Sequence, residues 1–274
     1  MCMKMFNEDC VIGAKRLADA SIDCLICDPP FGIKESKFDA MYNRIKVNVI
    51  SGYIEAPENY FDFTTRWMKE AYRVLKPKGT LYVVSGWTNL LDVLQAAKAA
   101  GFKLLNQIVW KYQFGVNTKR KFVSSHYVIL RLAKCDYPEF YQECRFKADE
   151  RDEQGRSLLY ADLEDVWVIN RENHRGERKN QNKLPDELVR KMIQYATKVD
   201  DTVCDFFLGN FTTAYVALEL GRNVVGFELN KESFDYHVPR LRRMMAGQKR
   251  SKKSHGVSQR SEEHTSELQS RITI

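Results

Sequence analysis

Four consecutive residues, Asp28-Pro29-Pro30-Phe31, combine a carboxylate, two rigid rings and an aromatic face, and they follow the apolar run Ile22-Asp23-Cys24-Leu25-Ile26-Cys27. Proline cannot donate to a β-ladder, so the run reads as a buried strand that stops at Asp28. In open α/β sheets the carboxyl ends of the strands line the binding crevice, which makes a carboxylate at this position a candidate for chemistry. Asp-Pro-Pro is common enough by chance that its placement carries more weight than its composition.

A second candidate site is Asp205-Phe206-Phe207-Leu208-Gly209-Asn210-Phe211-Thr212-Thr213, followed by Glu228. Gly209 would let a ligand approach the backbone, and a helix opening at Thr212 presents unpaired N–H groups. Nineteen residues separate Gly209 from Glu228, close to the roughly 20 at which an acid ending the second strand of a βαβ unit meets ribose hydroxyls. An adenosine ligand fits this pattern. The Gly-x-Gly-x-x-Gly pyrophosphate signature is absent, which argues against a dinucleotide.

Elements must hold these two sites. The pattern predicts a helix over residues 60–75, a turn at Lys76-Pro77-Lys78-Gly79 and a strand over 80–85. Thr88 would cap a helix over 90–100 that Gly101 stops. Strands are expected over 102–111 and 125–131, a helix from about Pro185 to 197, and then a strand over 202–207, a helix over 212–220 and a strand over 224–228, with a last helix from about Lys231. One domain is expected over 1–245, with a mobile loop over 32–59 and a polar, aromatic insertion at about 135–163. The tail over 246–274 reads as disordered. Its end, from about Arg260 through Ser261-Glu262-Glu263-His264, resembles the translation of a short-read sequencing adapter and is set aside as non-native.

Composition narrows the class. The net charge of +7 and pI near 8.9 favour a polyanionic partner. Seven cysteines are an odd number, which argues for free thiols in a reducing compartment. Cys24 and Cys27 are expected as buried strand residues, since no further ligands stand at zinc spacing. No apolar run approaches bilayer length and no signal-like start is read, so the expectation is a cytoplasmic protein with no membrane partner and no metal. Trp67, Trp87, Trp110 and Trp167 are expected in the core or at a pocket edge, and His126 as a hydrogen-bonded structural histidine.

Taken together, the motifs resemble those of the beta-class (permuted) DNA amino-methyltransferases of the N6-adenine and N4-cytosine type. In that family a catalytic Asp-Pro-Pro-Tyr/Phe precedes a cofactor-binding Phe-x-Gly, the order found here at residues 28–31 and 207–209. Asn7-Glu8-Asp9, Lys76-Pro77-Lys78-Gly79, Ile108-Val109-Trp110-Lys111, Ser125-His126-Tyr127, Asp165-Val166-Trp167 and Asn182-Lys183-Leu184-Pro185 extend the resemblance over residues 5–235. It implies an α/β, Rossmann-like S-adenosylmethionine-dependent methyltransferase fold, with a mixed, mostly parallel sheet, helices on both faces and circularly permuted motif order. Phe206, Asn210 and Phe211 depart from the family's Asp-Pro-Phe-x-Gly-Ser-Gly-Thr loop, and Phe211 is expected to crowd the methionine end of the cofactor.

The resemblance also implies roles. Asp28, Pro29, Pro30 and Phe31 would form the catalytic wall: the Asp28 carboxylate and Pro29 carbonyl accept from the target amine, and Phe31 offers a stacking face to a flipped base. S-adenosylmethionine would be held by Asp9 at the adenine amine, Asp28 at the methionine ammonium, the loop carrying Asp205, Phe207 and Gly209, Thr212 and Thr213 at the carboxylate, and Glu228 at the ribose. Helix capping is the alternative for both threonines. Double-stranded DNA would be met by Lys119, Arg120 and Lys121 and by Arg145, Lys147, Arg151 and Arg156 in the insertion, read as a target-recognition segment or, alternatively, a homodimer contact. N6 of adenine is the preferred acceptor because Asp rather than Ser precedes Pro-Pro. N4 of cytosine remains open, as does an inactive module that binds cofactor and DNA.

Overall fold

The computed structural model describes residues 1–31, 59–113, 119–120, 122–147, 149–171 and 183–247. The loop expected over 32–59, apart from Asn59, and nearly all of the expected tail lie outside them. Two compact units divide the chain, Met1–Phe234 and Asp235–Ile274. In the second unit residues 235–247 are helical, with the Arg240 guanidinium over the Tyr236 ring. Among the described residues no helix is long and apolar enough to cross a membrane.

The first unit is built on one eight-stranded sheet: β1 (Met3–Phe6), β2 (Ile22–Cys27), β3 (Leu75–Ser85), β4 (Lys103–Lys111), β5 (His126–Ala133), β6 (Val166–Val168), β7 (Thr202–Asp205) and β8 (Asn223–Phe227), in the order β1-β8-β7-β2-β3-β5-β4-β6. Five neighbouring pairs are parallel, and only β5 runs against both of its neighbours. The fold is therefore the mixed, mostly parallel α/β architecture that the motif order implied.

Strands β2, β7 and β8 are buried on both faces, as their continuous apolar sequences require. One face packs on α2 (Tyr60–Val74) and α3 (Leu90–Ala100) through Leu25, Cys27, Leu81, Val83 and Phe227 against Trp67, Met68, Ala71 and Val93. The buried residues of α2, at 60, 64, 67, 68, 71 and 74, recur every three or four positions, the spacing of a single helical stripe. Helices α5 (Asp186–Ala196) and α6 (Thr212–Glu219) pack against the sheet strands β2, β3, β7 and β8. Cys24 and Cys27 are fully buried free thiols whose pKa burial drives up.

Several expectations change. Lys76-Pro77-Lys78-Gly79 lies within β3 rather than in a turn, as an irregularity where the register with β2 slips between Ile22 and Cys24. Helix α3 is preceded by Asn89, not capped by Thr88, whereas Gly101 does end it with φ +98°. Trp87 is 73% exposed and belongs to no core. His126 is exposed at the start of β5. Strands β1 and β6, and the short α4 (Leu158–Asp162) inside the insertion, were not anticipated. At three to five residues each, they are too short for periodicity to reveal.

The insertion is anchored by a buried ionic cluster. Asp162 accepts from Arg145 Nε and Nη2 at 3.0 and 3.1 Å, from Lys191 Nζ at 3.1 Å and from the Tyr195 hydroxyl at 2.6 Å. Arg145 also reaches Glu187 and Gln194. The Asp162 carboxyl is held below the usual carboxylate range: burial raises it, but the donors and charges of Arg145, Tyr195 and Lys191 outweigh burial. Arg145 has a side chain only 7% exposed, which corrects its assignment as a DNA contact: its guanidinium faces inward to satisfy a carboxylate.

Removing one partner of such a cluster leaves uncompensated buried charge. Asp162→Ala should destabilise the protein by about 3–5 kcal/mol, measured by urea denaturation at pH 7. Because the carboxyl is depressed in the folded state, its contribution is present above the ordinary carboxylate pKa and lost as pH falls through the folded value. The gap between parent and variant should therefore narrow in acid.

Candidate active site

Parallel register brings the two sequence motifs to one edge. Ile26 of β2 pairs with Asp205 of β7, and Asp205 pairs with Gly226 of β8. Two residues further along each chain stand Asp28, Phe207 and Glu228, so all three leave neighbouring strand ends at the same level. Phe6 pairs with Phe227, which carries Asn7-Glu8-Asp9 to the same edge. The crevice predicted from the strand ends is thus assembled from β1, β8, β7 and β2.

The loop after β7 is set by its own backbone. Asp205 Oδ1 accepts from Phe207 N at 2.8 Å, and Glu228 accepts from Gly209 N at 2.6 Å and from Asn230 N at 2.7 Å. Gly209 adopts φ +50°, and a Cβ there would meet only open space beyond the Phe207 carbonyl, the condition for a ligand to approach the backbone. Gly226 is needed for packing: a Cβ would come within 2.6 Å of Leu208, which lies over β8. Phe211 takes φ +60° at the position where the resembled family carries glycine. Its ring is fully buried and meets Phe234 edge-on at 6.2 Å. Phe206 is buried against Phe227.

Three carboxylates at this edge are raised above their ordinary values. Asp28 is pushed up to about 8, by burial first and then by the charge of Asp205, with Arg171 pulling it down. Asp205 rises to about 7 by burial, against hydrogen bonds from Thr213 and the Phe207 N–H. Glu228 is also raised by burial, despite its backbone donors. In each case burial is the largest cause, because it disfavours the ionised form. Asp9 caps α1 (Cys10–Gly13), its Oδ1 accepting from Val11 N and Ile12 N. Of the two threonines, Thr213 serves Asp205, whereas Thr212 Oγ1 is buried with no hydrogen-bond partner among the described residues.

On the other side of Asp28 lies an aromatic wall. Phe31 stacks on Tyr127 with centroids 5.6 Å apart, and Trp110, Tyr112 and Tyr127 are mutually in contact at 5.5–5.7 Å. Asp28, Phe31, Val84, Trp110, Tyr127, Arg171, Lys183 and Leu184 line a narrow cleft that opens to solvent. The Asn89 side-chain amide donates to the Phe31 carbonyl, pinning the motif to the start of α3. Val84, Asn89, Tyr112 and Arg171 escaped sequence reading. Arg171 follows Asp165-Val166-Trp167 by four residues and lay in a basic stretch, but only the pairing of β6 with β4 places it beside Asp28.

Of the remaining basic residues, Lys119, Arg120, Lys147, Arg151 and Arg156 are exposed, with Arg156 paired to Asp152 at 2.7 Å. Lys121 lies outside the described residues.

Known proteins resemble this chain in sequence and in fold. A DNA methylase family model for N6 and N4 enzymes matches residues 22–238. The type II methyltransferase M.HinfI of Haemophilus influenzae is 26% identical over 254 residues, 87% of this chain and 68% of its own. M2.LlaDCHI of Lactococcus lactis subsp. cremoris is 29% identical over 235 residues, 83% and 84% of the two chains. Among solved structures, the cytosine-N4-specific PvuII DNA methyltransferase superposes with a TM-score of 0.64 at 17% identity, covering 84% of this chain and 82% of that one. The complex of M1.HpyAVI with SAM superposes with a TM-score of 0.62 at 18% identity, covering 87% and 98%. The matched span contains both the Asp28 motif and the loop to Glu228, and the chain belongs to the N6/N4 DNA methylase family.

Proposed function

We propose that the protein transfers a methyl group from S-adenosylmethionine to the exocyclic N6 of adenine in double-stranded DNA, after the base is flipped into the cleft beside Asp28. The observation that carries this reading is the level alignment of Asp28, Phe207 and Glu228 across adjacent strand ends, where buried carboxylates call for a cationic ligand.

The cofactor fits the residues present. Asp28 and Asp205, raised chiefly by burial, would face its sulfonium and ammonium groups. Glu228 would accept from the ribose hydroxyls with lone pairs left over from its backbone donors, and the unpartnered Thr212 hydroxyl would meet its carboxylate. When bound, S-adenosylmethionine supplies an electrophilic methyl group.

The protein's own part is to make a poor nucleophile competent. The amine lone pair of adenine is delocalised into the ring. The ionised Asp28 carboxylate and the Pro29 carbonyl accept its two hydrogens, which favours a pyramidal nitrogen and stabilises the positive charge that grows on it. Pro29 and Pro30 fix both acceptors, and Phe31 offers a stacking face. Holding the amine in line with the methyl supplies much of the remaining acceleration. Exposed Lys119, Arg120, Lys147 and Arg151 are suited to phosphates, which position the duplex without reading its sequence.

N4 of cytosine is the competing acceptor, because it presents the same two hydrogens to Asp28 and Pro29. Incubation with unmethylated genomic DNA and cofactor, followed by digestion to nucleosides and mass measurement, should yield N6-methyl-2′-deoxyadenosine. N4-methylcytosine alone would move the assignment to cytosine, and an absence of any methylated nucleoside would leave a module that binds without catalysis. Asp28→Ala should lower the rate by about 10²–10³-fold with the circular dichroism spectrum unchanged.

A pH dependence follows from the raised carboxylates. Their protonated forms favour the folded state, so the ligand-free protein should lose stability as pH rises from the ordinary carboxylate range through about 7–8. A cationic ligand prefers the ionised forms. The gain in melting temperature on adding S-adenosylmethionine should therefore be larger at pH 8.5 than at pH 6, and Asp28→Asn should flatten the difference.

A further inference from the structure

Arg171 is the only cation besides Lys183 among the residues lining the cleft at Asp28, and no sequence motif claimed it. The chain reaches this position by continuing β6 along the edge of β4. Ile169 N donates to Lys111 O at 3.1 Å, and Ile169 O accepts from Trp110 Nε1 at 2.8 Å. Two residues later the Arg171 guanidinium lies 4.6 Å from the Tyr112 ring centre and 5.3 Å from that of Tyr127. Its Nε is buried with no hydrogen-bond partner among the described residues.

We infer that Arg171 is the hydrogen-bond donor of the base pocket, meeting a ring acceptor of the flipped base while Asp28 and Pro29 hold its exocyclic amine. The inference rests on the base-methylating reading and extends it to recognition of the base. Both candidate bases carry a ring nitrogen acceptor next to the carbon that bears the amine. An acceptor carboxylate beside a permanently protonated donor is the complement of that donor–acceptor edge. A DNA phosphate is the other obvious partner for arginine. In this position it would bring another negative charge against Asp28, which already faces that of Asp205, whereas a neutral ring nitrogen would not. The two tyrosine faces hold the guanidinium plane by cation–π contact, so the donor is oriented before the base arrives.

The test pairs a protein change with an atom change in the base. Duplexes carrying the site found by sequencing methylated DNA would hold at the target position either the natural base or a deaza analogue, in which one ring nitrogen is replaced by C–H and the amine is kept: 1-deaza- or 7-deazaadenine, or 3-deazacytosine for a cytosine target. The parent protein should lose about 10–100-fold in kcat/KM on one analogue, the loss expected for a hydrogen bond to a charged group. Arg171→Met should be slower by a similar factor on the natural base and should no longer distinguish it from that analogue. Arg171→Lys, which keeps a cation and a donor, should retain part of the discrimination, and it serves if the methionine variant fails to fold. Discrimination by Arg171→Met equal to that of the parent, or a rate on the natural base within about twofold of the parent, would overturn the inference. Absence of methylation by the parent on the natural duplex would instead count against the methyltransferase reading, and would be seen before any variant is compared.

Discussion

Burying carboxylates at the ends of adjacent parallel strands is the constraint on which this molecule is organised. In-register pairing of β2, β7 and β8 brings Asp28, Asp205 and Glu228 to one edge of the sheet, where burial raises all three carboxyls. Withdrawing an ionised carboxylate from water without a counter-charge is unfavourable, and the group responds by holding its proton. Backbone donors from Phe207, Gly209 and Asn230 meet part of the need. The rest is left for a cation, and the strain is tolerated because the sheet beneath is packed on both faces by apolar side chains.

The two halves of the sheet divide the work according to strand direction. Parallel strands present their carboxyl ends to the crevice, and those ends carry the acidic residues. Strand β5 runs the other way, so it presents its beginning, which brings Tyr127 against Phe31. Strands β4 and β6 run with β3 again and deliver Trp110, Tyr112 and Arg171. A carboxylate edge and an aromatic edge thus meet at Asp28, with the Asn89 amide donating to the Phe31 carbonyl. The acidic side suits a cationic cofactor and the aromatic side suits a planar base.

Positive charge is used in two ways that a count of residues does not separate. Arg145 and Lys191 are folded inward around Asp162 and hold the insertion to α5. Lys119, Arg120, Lys147 and Arg151 remain at the surface. The inward pair contributes nothing to the field that a polyanion would meet, so the attraction of the chain for DNA rests on fewer residues than its formal charge suggests.

Local chemistry made much of this legible from the chain alone. A strand that must end at Asp28-Pro29-Pro30, a glycine followed by a helix start at Thr212, and an acid nineteen residues after Gly209 are all short-range statements, because prolines, glycines and apolar runs act on their immediate neighbours. Helices α2, α3, α5 and α6 were visible for the same reason, through caps, stop signals and composition within one segment. Strand order was beyond the reach of such signals. Whether Arg145 faces solvent or Asp162, whether Phe211 enters the cofactor loop or packs on Phe234, and whether Arg171 comes to rest beside Asp28 depend on residues far away in the chain. Hydrogen bonds between strands and competition for buried space decided those questions, and both exist only once the sheet has formed.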